Sequence, residues 1–383
     1  MMAAMNARLT TYQGAMTWLN FTPVCLNSRG KRLGKKYVVI ESDDWGSERI
    51  TNKDALSTLI KSGVDVYDNP FNFLDSLETG DDLSALFETL EKFRDRKGNH
   101  PVITANSVMA NPDFDKIKAS GFTEYHYESS LETYRKKPGC ENSAALIREG
   151  MDAGMYHPQF HGREHLSVCK WMTELRAGNE ILRNAFDAGI YGIDMDTELT
   201  SRNNFMAAFD SKNEEELVNF GTIIEEGTSM FKSMFGFSSE SFIAPCYIWP
   251  SELEPVLKQN GIKYLQGLPL QYAPDQEGQY RQIFHYQGQK NRKGQRYFVR
   301  NCFFEPAEYR GVNLIEEVLR RMKIIFFWGK PAILGSHRIN FMGSLDEENR
   351  SNNLKMLDDL LQAILKTWPD VEFISTDKLG DLY

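Results

Sequence analysis

From Lys36 onward, short apolar runs rich in β-branched residues alternate with segments of helical periodicity, and this alternation limits the possible folds more than any other feature. A strand, a helix and then a second strand form the repeating unit of a parallel sheet covered by helices. YVVIES (37–42) reads as the first strand. DLSALFETLEKFRDRKG then puts Leu83, Leu86, Leu90 and Phe93 on one helical face, with Gly98 as its C-cap. Further strands are expected at PVITAN (101–106), FTEYHYES (122–129), MYHPQFH (155–161), GIYGID (189–194), SFIAP (241–245), IKYLQG (262–267), PAILGSH (331–337) and VEFIST (371–376). Helical patterns separate most of them, including one from about Leu166 to Ala188. The expected fold is α/β, a distorted (β/α) barrel of seven to eight parallel strands, with an open doubly wound sheet as the alternative. Residues 1–36 read as an N-terminal arm and 37–383 as one domain. An insertion at about 268–310 is expected to contain a β-hairpin near 279–303.

Composition supports a packed core. The 383 residues are 41% hydrophobic and 25% charged, with no low-complexity tract. No run approaches the about 20 apolar residues of a membrane span. The stretch MMAAMNARLTTYQGAMTWLNFTPVCLN lacks the dense apolar block and cleavage site of a secretory signal. The expectation is a cytoplasmic protein with no membrane partner. A net charge of −9 without a basic block argues against a duplex nucleic-acid partner. The 5 cysteines are scattered without a C-x-x-C pair, which disfavours a disulfide framework or a thiolate zinc site. No glycine-rich phosphate fingerprint follows a strand, so nucleotide binding has no support.

In a (β/α) barrel the chemistry gathers where strands end and loops begin. Polar residues concentrate there. The first strand ends in Glu41-Ser42-Asp43-Asp44-Trp45-Gly46. HPQFHGREH (157–165) holds three of the chain's 7 histidines. SFIAP runs into Cys246-Tyr247-Ile248-Trp249, and PAILGSH ends at His337-Arg338. His161-Gly-Arg-Glu164-His165 has two readings. As H-x-x-E-H it is an inverted zinc-protease motif with Glu164 as base. As a pair at i, i+4, His161 and His165 alone are close enough to share a metal. The protease reading requires an amphipathic helix, whereas Pro158 and Gly162 suit a strand end and a loop. Imidazoles with one carboxylate suit zinc or a similar divalent ion with a position left for water. A second carboxylate must then take a proton and a separate acid must protonate the leaving group. Side chains alternate along a strand, but that alternation relaxes at a turn, so Asp43 and Asp44 can face one pocket with different targets.

These residues resemble the polysaccharide deacetylases, carbohydrate esterase family four, within the glycoside hydrolase/deacetylase barrel superfamily. Ser42-Asp43-Asp44-Trp45-Gly46 is similar to the family's T-F-D-D-G motif and His161-Gly-Arg-Glu-His165 to its H-[ST]-x-x-H motif. Ile333-Leu-Gly-Ser-His337 is similar to its closing strand. The resemblance implies Asp44, His161 and His165 as ligands of a divalent metal, most simply zinc, with Asp43 as general base and His337 as general acid. The implied substrate is an N-acetylated carbohydrate. Two family features are missing. Phe242-Ile-Ala-Pro-Cys-Tyr247 stands where R-P-P-[FY] is expected, leaving Arg163 or Arg338 to take the arginine's place, and no Asp and Trp pair follows IKYLQG to support the acid. A degenerate, glycan-binding barrel is therefore the alternative, and a sugar hydrolase pairing Asp43 with Asp194 or Asp196 is a third reading.

Other residues complete the set of candidates. Trp45, Tyr247 and Trp249 are candidates to pack on a sugar ring, against simple burial. Asn106 and Asn111 are candidates for sugar hydroxyls or Asx turns. His157 is a candidate to hydrogen-bond a metal ligand, against a packing role.

Overall fold

All 9 residues of β1 (Tyr37–Trp45) are buried, as a strand covered on both faces must be. The structure, a computed structural model, describes residues 27–383 apart from 68, 194–201, 203, 212, 276–277 and 310. β1 lies between β2 (Ile103–Ser107) and β12 (Ala332–His337), parallel to both. From β2 the sheet continues through β5 (Tyr156–Phe160), β6 (Ser241–Ile243) and β7 (Tyr264–Gly267) to β10 (Arg296–Val299). On the other side β12 pairs with β11 (Cys302–Phe303), and the short β13 (Glu372–Phe373) joins the start of β1.

The two edges of this sheet meet. Only Arg300 and Asn301 separate β10 from β11. The Arg300 amide donates to the Gly267 carbonyl on one side, and the Asn301 amide to Ile333 on the other. Residues 296–303 are therefore one stave that closes a (β/α) barrel, as expected from the strand–helix alternation. Two antiparallel ribbons stand outside it: β3 (Ala110–Pro112) with β4 (Tyr127–Ser129), and β8 (Leu270–Pro274) with β9 (Tyr280–Phe284). The helices are amphipathic as the sequence indicates. Gly80–Glu91, with Thr79 and Asp82 forming a capping box, buries Leu83, Leu86 and Leu90 against the outside of the sheet.

Several details differ from the sequence reading: residues 189–193 of GIYGID form no strand, and the helix Gly80–Glu91 ends at a Lys92 cap before Phe93 and Gly98. The hairpin is β8–β9, at 270–284, while 296–303 belongs to the barrel wall; alternation in RYFV is the same whether a strand sits in a hairpin or a stave. FTEYHYES contributes only β4. The helix expected over 166–188 is two, Val168–Ala177 and Glu180–Asp187, because Gly178 takes a left-handed φ of +78° and caps the first. Asp194 and Asp196 lie outside the described residues, as does the arm up to residue 26. No helix among the described residues is long and apolar enough to cross a membrane.

Inside the barrel the layers change character along the axis. At the N-terminal end Val39, Tyr264, Phe298 and Ile333 pack with Leu379 from the last helix. One layer up, Glu41 meets Arg300, and Thr376 donates to the other Glu41 oxygen at 2.7 Å. The C-terminal layer holds Asp43, Asn106 and His337. Gly335 makes the middle layer possible, since a Cβ there would lie 2.6 Å from Arg300 Cδ. Gly335→Ala is therefore expected to cost about 1–3 kcal/mol of stability through overpacking, measured by urea unfolding; an unchanged midpoint would contradict this packing.

Candidate active site

Asp43 and Asp44 point to different partners because β1 breaks its pleat between them. The register with β2 shifts between Ser42 and Trp45, and Asp44 adopts a φ of +74°, a region costly for a residue with a Cβ. Asp43 keeps the inward direction of Glu41 and lies in register with His337 on β12. Asp44 turns toward the loop after β5. Trp45 turns outward into the core, its indole donating to Ser42 Oγ at 3.1 Å.

His161 follows the last residue of β5, and its amide continues the ladder by donating to Ser107. Gly162, at φ +107°, then reverses the chain so that His165 returns to the same place. His161 Nε2 and His165 Nε2 lie 3.2 and 3.3 Å from Asp44 Oδ1. The motif is a loop, not a helix. Glu164 turns away, held by two Arg163 nitrogens at 2.6 Å each.

The three side chains fit a cation. His161 Nδ1 is 2.9 Å from the Ile243 carbonyl, a contact that holds a proton on Nδ1 and leaves Nε2 as the atom to face a metal. His161 Nε2 faces an Asp44 carboxylate oxygen, and a cation between them would satisfy both. Donors about 2.1 Å from a common tetrahedral ion are about 3.4 Å apart, close to the separations found. Burial holds His165 neutral, with its pKa lowered to about 4 although Asp44 opposes the shift. Burial raises the Asp44 carboxyl, but His165 and His161 outweigh it and hold it well below the usual range.

Asp43 is gripped by a residue absent from the sequence reading. Arg300, at the barrel seam, donates to its two oxygens at 2.8 and 2.6 Å, and to Glu41 and the Tyr247 hydroxyl at 2.8 and 2.9 Å. Asn106 adds a donor to Asp43 Oδ1 at 2.7 Å. Burial pushes the Asp43 pKa up; Arg300 and, after it, His161 bring it below the ordinary value. Neither Arg163 nor Arg338 touches Asp43. Arg163 binds Glu164 and Glu226, and Arg338 binds Asp75 and Glu78. Arg300 was hidden because residues 296–299 read as a hairpin arm. The signal was available: RYFV followed by Arg-Asn is another apolar strand ending in a charge.

His337 Nε2 lies 3.7 Å from Asp43 Oδ2, and its Nδ1 is 2.7 Å from Glu305 Oε1. Burial lowers the imidazole pKa, but Glu305 prevails, with Asp44 and Asp43 adding to it, and lifts it to about 10. Glu305 is oriented in turn by Asn340, 2.7 Å from its other oxygen. Glu305, Glu308 and His337 offer ligand-type atoms within 4.8 Å of one another. Burial, then Glu305, raises the Glu308 pKa to about 8. FFEPAE follows the unrecognised stave, so both glutamates escaped the sequence reading with it.

The other candidates fall elsewhere. Trp45 is 1% and Trp249 5% exposed, and both belong to the main core, so neither offers a free face to a sugar. Asn106 is wholly buried and serves Asp43 and Gln266. Asn111 ties down the turn after Asp44, donating to Gly46 and accepting from Glu48. Tyr247 is half-buried beside Arg300. His157 sits four residues before His161, about 13 Å down the strand, where it meets Asp377 at 3.1 Å and stacks on Phe237. It touches no ligand.

No protein-family model matches this sequence, and no curated protein matches it. Among solved structures, Puue allantoinase aligns with 94% of this chain and 95% of its own at 10% identity and a TM-score of 0.46. A putative polysaccharide deacetylase from Mycobacterium smegmatis aligns over 93% and 92%, at 10% identity and a TM-score of 0.42. For 4-alpha-glucanotransferase from Thermococcus litoralis the coverage is 91% of this chain but 40% of that one, with 9% identity and a TM-score of 0.45.

The raised pKa of His337 has a consequence for stability. Its folded value of about 10 exceeds the ordinary 6.5, so protonation stabilises the fold fully below pH 6.5. That contribution declines as pH rises and is gone once pH passes the folded value. His337→Gln is expected to flatten the loss of stability across this window in denaturant melts at a series of pH values. A wild-type slope in the variant would show that His337 is not the group responsible.

Proposed function

We propose that this protein is a divalent-metal-dependent hydrolase that removes an acyl group, acetyl in the first instance, from the nitrogen of an N-acylated sugar. The observation that carries this reading is a base and an acid in register on neighbouring strands, Asp43 and His337, beside the convergent Asp44, His161 and His165. Asp44, His161 and His165 would hold the cation, and their two nitrogens and one carboxylate suit zinc. A cation held there supplies Lewis acidity, bringing a water's pKa toward neutrality and drawing charge from an amide carbonyl.

This chain's own residues account for the proton transfers. Asp43, kept ionised by Arg300, accepts a proton from the attacking water as its oxygen bonds to the carbonyl carbon. His337, protonated at neutral pH, gives its Nε2 proton to the nitrogen as the carbon–nitrogen bond breaks. The free acid and amine leave, Asp43 returns its proton to solvent and His337 takes one back. Glu305 fixes the imidazole by accepting from Nδ1, which aims Nε2 at the pocket. The Arg300–Asp43 contact supports an active enzyme over a degenerate barrel, whose rationale was a missing arginine. The loop conformation and the Arg163–Glu164 pairing count against Glu164 as a protease base.

Asp43→Asn is expected to lower acetate release from N-acetylglucosamine, chitin oligomers or N-acetyl sugar nucleotides about 10²–10⁴-fold, assayed with zinc- or cobalt-loaded protein. Glu164→Gln is expected to stay within a few-fold of wild type. The reverse ranking would overturn the assignment of the base, and no release by wild type across the panel would favour a binding role.

A further inference from the structure

We propose that Glu78 and Arg338 are positioning residues that impose the left-handed turn by which Asp44 reaches the two histidines, and so set the affinity of the cation site. The inference rests on the reading of Asp44 as a ligand. Asp44 holds a φ of +74° without glycine's freedom. Such a conformation is costly for a residue with a Cβ and persists only where its surroundings over-determine it. The residues after it show what does so. Glu78 Oε1 accepts from the Gly46 amide at 2.9 Å and from the Tyr134 hydroxyl, and its Oε2 accepts from Arg338 Nη1 at 2.5 Å. Arg338 Nη2 donates to the Ser47 carbonyl, while Asp75 Oδ1 accepts from the same guanidinium at 3.0 and 3.2 Å. One buried ion pair thus fixes a donor of residue 46 and an acceptor of residue 47. Gly46 is itself left-handed at +83°, and a Cβ there would lie 2.7 Å from the Val108 carbonyl, so the turn is enclosed on its other side.

Arg338 directly follows His337. The clamp therefore joins the turn carrying Asp44 to the strand end carrying the candidate acid, through side chains that touch neither a ligand nor the reacting groups. Glu78→Gln keeps an acceptor for Gly46 but sets an amide against the guanidinium. Arg338→Lys keeps the charge and loses the planar fork that reaches Asp75, Glu78 and Ser47 together.

The test is titration of metal-free protein with cobalt(II), read by its ligand-field absorption, with circular dichroism melts run in parallel. Glu78→Gln is expected to bind cobalt about 10–100-fold more weakly, with an altered spectrum, as partners of metal ligands commonly do when removed. Arg338→Lys is expected to change in the same direction, and carries the test where melts show that Glu78→Gln does not fold. Arg350→Gln breaks the Arg350–Asp82 pair at 2.9 Å, away from the turn, and is expected to keep wild-type affinity whatever it does to the melt. Folded clamp variants with wild-type affinity and spectrum would overturn the proposal. Wild-type protein that binds no cobalt would instead remove the metal reading on which it rests.

Discussion

The guanidinium of Arg300 is buried at the seam of the barrel between Glu41 and Asp43, and the arrangement of the site depends on that contact. An arginine in such a place costs several kcal/mol unless carboxylates compensate it, and buried carboxylates require the cation in return. Neither side can be removed alone. The stave 296–303 therefore closes the barrel only with Arg300 directed inward, and Gly335 on the next stave leaves the volume it occupies. Fold closure and the ionised state of Asp43 have one cause. Asn106 extends the same polar layer to β2 by donating to Asp43, and Gln266 on β7 holds Asn106 in turn.

Two histidines of the site are driven to opposite protonation states. Burial disfavours the charged form of both. His165 lacks a partner strong enough to offset this and stays neutral, the form that offers a lone pair. His337 has Glu305 on its Nδ1 and is held protonated. Titratable groups pushed apart in this way mark division of labour in acid–base sites. Neutral His165 lies against Asp44 and the charged His337 faces Asp43. The ordering comes from which strand end supplies a carboxylate to which ring.

Much of this was legible in the sequence. Strand–helix alternation indicated a parallel barrel, with an open doubly wound sheet as the alternative, and charges at strand ends pointed to residues that lie together: Asp43, Asp44, His161, His165 and His337. The bulge that separates Asp43 from Asp44 was foreseeable from a strand running into Trp-Gly. Arg300 was harder to see, because RYFV ending in a charge fits a hairpin arm as well as a stave, and only the non-local closure of the sheet separates the two. Glu305 and Glu308 were lost with the same stave. Trp45 and Trp249 illustrate a different limit. An aromatic residue near a strand end is written identically whether its ring faces a ligand or the core, and here both bury area. His157 shares a motif with His161 but lies at the far end of β5, since sequence proximity along a strand is distance along the barrel axis.

The central claim is that Asp44, His161 and His165 jointly hold one divalent cation. Elemental analysis of purified wild-type protein beside Asp44→Ala, His161→Ala and His165→Ala, each checked for folding, tests it most directly. About one equivalent of zinc or a similar metal in the wild type, and a large loss in all three variants, is the expected result. Folded variants that retain the wild-type metal content would contradict the account.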